Sequence, residues 1–157
     1  MIILGIDPGI ADTGYGIIEV DGSKLKCIEY GSIRTRANTA LSKRLKKLYS
    51  DLDNIIKKHQ PDVIGVEELF FCNNVKTALI VGQARGVVLL CAEQHALILK
   101  EFTPLQVKQA VSSYGQASKM QVQKMVKILL NLKVLPKPDD AADALAVAIC
   151  ASNSQNV

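Results

Sequence analysis

The sequence predicts an α/β fold in a single domain, with a five-stranded mixed sheet and helices on both faces. Three observations carry that prediction. The chain opens with strand-like runs separated by turn residues, and then alternates strand-like with helix-like segments. Its 157 residues are 48% hydrophobic and 22% charged, which suits one globular domain with a sizeable core.

Ile2 to Asp7 is a short apolar run that stops at Pro8-Gly9. Thr13 to Val20 and Lys24 to Arg34 flank Asp21-Gly22, and Asp-Gly between strand-like segments signals a tight hairpin. Three consecutive antiparallel strands are therefore expected. Leu41, Leu45, Leu48, Leu52, Ile55 and Ile56 recur at helical spacing among lysines and Arg44, giving a helix that ends before Pro61. Asp62 to Glu67 reads as a buried strand. A nearly all-apolar helix spans about Val75 to His95, and Ala96 to Phe102 is the fifth strand. Thr103 is an N-cap with Pro104 at the first helical position, followed by basic helices at Leu105 to Ser112 and Ser118 to Leu132. A last helix runs from Asp139 to about Ala151. Helical crossovers imply parallel pairing, and the order of elements matches the ribonuclease H-like arrangement. No linker or repeat divides residues 1–157, and the last few are expected to be disordered.

The totals exclude several classes. Cysteines 27, 72, 91 and 150 form no CxxC motif and read as apolar fillers in a reducing compartment. His59 and His95 are the only histidines, so a metal would be held by oxygen ligands, which suit magnesium, manganese or calcium. The N-terminus lacks the basic region of a signal peptide, and no apolar run reaches about 18 residues. The expectation is a cytoplasmic protein with no membrane association.

Carboxylates stand where chemistry would need them. Asp7 ends the first strand, Glu67 and Glu68 end the fourth, and Asp139, Asp140 and Asp143 open the last helix. Sites in open sheets form outside the carboxyl ends of parallel strands. Asp140 and Asp143 are three apart and share a helix face. The bland alternatives are solvated turn residues and helix caps. Asp143 resists that reading, because it sits in the apolar run AADALAVAI, where a core-facing carboxylate is costly unless paired or metal-bound. Several acids within a few ångströms repel one another, and divalent cations reverse that penalty. Gly9 and Gly14 beside Asp7 would let a phosphate backbone approach.

Between Phe102 and Pro138 there are six lysines and no acid, and this one-signed stripe suits a phosphate-tracking surface. Phe70 and Phe71 precede Asn73-Asn74 in a loop-like stretch, where an aromatic could stack on an unpaired base or pack in the core. The helix around Leu79 to Cys91 is apolar on most sides, with Gly82 and Gly86 four apart. Such a helix must be buried, either at the centre of the domain or in a dimer seam.

GIDPGIADTGYG, VEELFFCNN, ALIVGQARGV, the VKQAV and SKMQVQKMV helices and DDAADALAVAI, in this order over nearly the whole chain, resemble the RuvC family of bacterial Holliday junction resolvases. The resemblance implies a ribonuclease H-like fold and a homodimer. It also implies a magnesium-dependent endonuclease that nicks four-way junction DNA symmetrically during recombination and repair, leaving 5′-phosphate and 3′-hydroxyl ends. It assigns Asp7, Glu67, Asp140 and Asp143 as catalytic metal ligands, for two Mg2+ ions per site with Mn2+ able to substitute. Phe70 matches an aromatic that disturbs base stacking, Lys108 and Lys119 match lysines on the DNA backbone, and RuvA and RuvB are the implied branch-migration partners.

Two other readings are an RNA-processing nuclease of the same fold and a non-catalytic branched-DNA binder. An actin-like ATPase shares the Asp-x-Gly turn but needs more chain than 157 residues.

Overall fold

A computed structural model describes residues 1–69 and 74–154. Five strands are present: β1 (Ile2–Asp7), β2 (Asp12–Asp21), β3 (Lys24–Arg34), β4 (Val63–Glu67) and β5 (Ile98–Phe102). They lie in the order β3-β2-β1-β4-β5, with β1 parallel to β4, β4 parallel to β5, and the β1–β2 and β2–β3 pairs antiparallel. This is the expected five-stranded mixed sheet. Five helices accompany it: α1 (Leu41–His59), α2 (Val75–Gln94), α3 (Pro104–Ser112), α4 (Lys119–Leu129) and α5 (Asp139–Asn153).

Alternation along the strands divides the core. Leu4, Ile6, Ile17, Ile64 and Val66 point to one face and pack with Leu48, Leu52 and Ile56 of α1 and Ala84, Val88 and Cys91 of α2. Ile3, Ile18 and Val63 point to the other and pack with α5 and with Val107, Val122 and Val126 of α3 and α4. Asp7 and Glu67 fall on the second face, because they continue the series of residues 3 and 5 and of residues 63 and 65.

Helix α5 lies unusually deep. Gly16, Gly5 and Gly65 are direct partners across β2, β1 and β4. A Cβ on Gly5 would stand 2.1 Å from the Ala144 carbonyl oxygen, and one on Gly14 would stand 1.9 Å from that of Asp140. The alanine-rich helix therefore rests its backbone almost on the sheet, and every residue from Ala144 to Ala151 is buried.

Boundaries shift where turn chemistry intervenes. β5 begins at Ile98 because Ala96 turns with φ +51°. α4 ends at Leu129, short of the expected Leu132, because Asn131 adopts a left-handed conformation (φ +50°) and the Leu132 amide returns to the Lys127 carbonyl. Among the described residues Cys27, Cys91 and Cys150 are free, and burial pushes the last two thiols up to about 11, as inert fillers require.

Helix α2 is not buried at the centre of the domain, the first of its two readings. Only Ala84, Val88, Cys91 and Ala92 are buried, while Val75, Leu79 and Leu90 are 72%, 65% and 55% exposed. At 20 residues it is also long and apolar enough to cross a membrane by composition, although no such segment was expected. Its buried strip packs on the sheet core.

Candidate active site

The loop after β1 is pinned before any chemistry is placed. Thr13, buried at the start of β2, donates its hydroxyl to the Gly9 carbonyl and accepts from the Gly9 amide. Gly9 and Gly14 do not open the site to a phosphate, contrary to expectation. A Cβ on Gly9 would meet the Asp12 carbonyl 2.1 Å away, and the space over Gly14 is filled by α5. These glycines admit the protein's own backbone. In doing so they bring the first turn of α5 against Asp7, since Asp7 and Gly14 are register partners.

Asp7 and Glu67 sit at the carboxyl ends of neighbouring strands, β1 and β4, whose parallel register pairs Ile6 with Val66. Burial pushes Asp7 up to about 8, helped by the charges of Glu67, Asp143 and Asp140, and its carboxyl donates a hydrogen bond to Glu67. Burial also raises Glu67, with Asp143 adding to it and the Asp7 hydrogen bond and Lys108 and Lys119 opposing. A carboxylic acid kept neutral near pH 7 among other acids marks a place short of positive charge.

Asp140 and Asp143 arrive from α5. Neither Asp139 nor Asp140 caps this helix, whose N-cap is Pro138, and Asp139 instead takes Lys137 at 2.6 Å. Burial raises Asp143 against the hydrogen bond from Lys119, whose Nζ lies 3.0 Å from Asp143 Oδ2. Burial alone would lower the Lys119 ammonium, but Asp143, Asp139 and Asp140 outweigh it and hold it up. Lys108 and Lys119 line a 220 Å³ cleft together with Glu67 and Asp143.

Among the described residues, no three His, Cys, Asp or Glu side chains converge tightly enough to grip one ion together. The charge shortage is met otherwise, by a proton on Asp7 and by Lys119 on Asp143. The donor set consists entirely of carboxylate oxygens, which fits a hard divalent cation and not zinc. Phe70 lies outside the described residues. Two participants escaped sequence reasoning: the row of Gly5, Gly16 and Gly65 within strands, and Thr13, a buried hydroxyl near the start of β2 that ties back to Gly9.

Comparison with known proteins gives a consistent picture. The RuvC family profile, described as crossover junction endodeoxyribonuclease RuvC, matches residues 3–151. The crossover junction endodeoxyribonuclease RuvC of Alkaliphilus metalliredigens is 57% identical over 154 residues, covering 98% of this chain and 94% of that protein. The structure of Thermus thermophilus RuvC superposes with a TM-score of 0.89 at 33% identity, covering 97% of this chain and 93% of that one. The T. thermophilus RuvC structure in complex with Holliday junction substrate also superposes at 0.89, with 31% identity and the same coverage.

Proposed function

The chain belongs to the RuvC family of crossover junction endodeoxyribonucleases, and from that premise we propose how its own residues act on a Holliday junction. It is a structure-specific endonuclease of DNA recombination and repair, with an α/β fold like that of Thermus RuvC. The observation that carries the residue assignment is Asp7. It is a half-buried acid that desolvation first, and then the charges of Glu67, Asp143 and Asp140, hold neutral at the carboxyl end of the parallel strands.

In this proposal Asp7, Glu67, Asp140 and Asp143 hold two Mg2+ ions, with Mn2+ as a substitute. When bound, the cations supply Lewis acidity toward the scissile phosphodiester and the attacking water. Asp7 as the carboxylate, and Asp143 freed of Lys119, would be the oxygen ligands offered to the cations beside Glu67 and Asp140. Lys108 and Lys119, on the wall of the cleft, then fix phosphates of the substrate strand. Hydrolysis leaves 5′-phosphate and 3′-hydroxyl ends. Phe70, two residues beyond Glu68, is assigned to the unstacked bases at the branch point.

The working unit is a homodimer. Val75, Leu79, Gly82, Gly86 and Leu90 recur at spacings of four and three along one face of α2, with Gly86 facing open space. A two-fold pair of such faces would set two acidic sites against the two equivalent strands of a junction. RuvA and RuvB are the branch-migration partners, and the bacterial cytoplasm is the place of action, with no membrane role.

The test is incubation with a labelled immobile four-way junction and a matched linear duplex, with and without Mg2+. Paired nicks in the junction alone, and only with Mg2+, are expected. Equal cutting of the duplex would overturn junction selectivity.

A further inference from the structure

The end of the sheet that holds the acids carries a second charged feature. Arg34 closes β3, and Arg36 follows it toward the first two turns of α1, where Lys43, Arg44 and Lys47 stand. With Thr35 and Thr39 they line an open groove of 450 Å³, and no carboxylate lines it. Asp12 takes Arg34 at 2.9 Å and Asp51 takes Lys47. Arg36 and Lys43 have no ion-pair partner among the described residues. Helix α1, with Ala40 as its N-cap, has no side-chain cap and no acid in its first turn, so its free amides add positive potential to the same place. Arg44 is held toward the groove by Thr35, which accepts from its Nε at 2.8 Å.

The location matters as much as the charge. Asp7 pairs with Gly14, Gly14 with Ser32, and Asp12 with Arg34, so the groove lies two strands along the sheet from Asp7. At the usual strand spacing the step across the sheet to Arg34 is about 10 Å, while Lys43, Arg44 and Lys47 stand on α1, which packs on the face opposite Asp7. On the other side of the acids, Lys108 and Lys119 share a cleft with Glu67. Cations therefore stand to both sides of the acidic centre at one end of the sheet, with the groove turning around the strand ends from Arg34 to α1. A single mobile anion would need only one cluster, whereas a polyanion running across that edge meets all of them.

We infer that Arg34, Arg36, Lys43, Arg44 and Lys47 form a DNA-backbone subsite that seats phosphates of the cleaved strand, beginning at Arg34 about 10 Å across the sheet from Asp7. This rests on the proposal that the chain cuts junction DNA. The subsite extends the footprint from the Lys108 and Lys119 side of the sheet to its β3 edge, and fixes the arm's direction by phosphates alone.

The experiment uses the full chain and a fluorescent immobile four-way junction without Mg2+, with binding followed by anisotropy from 50 to 200 mM salt. Arg36→Gln/Lys43→Gln neutralises two exposed cations. Its affinity at the lower salt should fall roughly tenfold, and its salt slope should shrink by about two phosphate contacts. Arg36→Lys/Lys43→Arg should restore both. Lys24→Gln/Lys26→Gln, with the same charge loss at the opposite end of the sheet, should bind as wild type does. Wild-type affinity and slope in Arg36→Gln/Lys43→Gln would overturn the subsite, as would an equal loss in Lys24→Gln/Lys26→Gln, which would mean bulk charge. If the wild-type protein neither binds nor, with Mg2+, cuts the junction, the endonuclease proposal fails first and the subsite with it.

Discussion

Helices α2 and α5 are both long, apolar and poor in charge, yet α5 is buried on nearly every side while α2 buries one strip and leaves Val75, Leu79 and Leu90 in the open. The difference lies in what each helix meets. α5 rests on Gly5, Gly14, Gly16 and Gly65, where added Cβ atoms would strike its backbone or side chains, and its own alanines fill the narrow gap. α2 meets ordinary Leu, Ile and Val side chains on one side, and among the described residues its other side leaves Val75, Leu79 and Leu90 exposed. A helix that sinks to the sheet can deliver Asp140 and Asp143 to the strand ends. A helix with a free apolar face can instead meet a second copy.

The largest expected effect breaks the seat of α5. Gly14→Val places its side chain on the Asp140 carbonyl and should cost about 3 kcal/mol or more, lowering the melting temperature by roughly 6–12 °C. The parallel change on α2, Gly86→Ala, meets nothing within 4 Å and should raise protomer stability by about 0.5–1 kcal/mol, read by the same melt. Equal effects at the two glycines would erase the comparison.

The free face of α2 is probed next. Leu79→Glu/Leu90→Glu should convert a dimer to a monomer in sedimentation, with protomer stability changed by no more than about 0.5 kcal/mol per site. An unchanged dimer would move the interface elsewhere.

A further effect reports the acids that β1 and α5 bring together. Asp7 ionises near 3.8 when unfolded and near 8 in the fold, so over that range the unfolded chain releases a proton that the folded chain keeps. Its contribution to metal-free stability is therefore full below pH 3.8 and lost as pH rises toward 8. Asp7→Asn should flatten this decline and raise the metal-free melting temperature at pH 8, and Mg2+ should raise the wild-type value there. A wild-type protein whose metal-free stability does not depend on Asp7 would contradict it. Smallest is Lys108→Ala, which should reduce the salt slope of junction binding by about one phosphate contact.

Much of this was legible in the sequence for physical reasons. Asp21-Gly22 forced the hairpin, Pro8-Gly9 ended β1 at Asp7, and Thr103 and Ser118 both close capping boxes as their side chains allow. Strand alternation separates Glu67 from Glu68 once the core face is known, but the face itself depends on which helix covers it. The depth of α5 was not legible, because glycines in strands read as weak strand positions until their cross-strand register aligns them. Nor was the exposure of α2, since an all-apolar pattern does not record which side lacks a neighbour. The Lys119 to Asp143 pair and the Arg36 to Lys43 groove join separate elements, and only the fold brings them together.

The central claim is that Asp7, Glu67, Asp140 and Asp143 act as one cation-holding set. The direct measurement is junction binding and single-turnover cleavage, over a series of Mg2+ concentrations, for Asp7→Asn, Glu67→Gln, Asp140→Asn and Asp143→Asn. Each variant should bind the junction at least as tightly as wild type and lose cleavage by about 100-fold or more. Near wild-type cleavage in any one of them, at the same Mg2+ requirement, would remove that residue from the set and contradict the account.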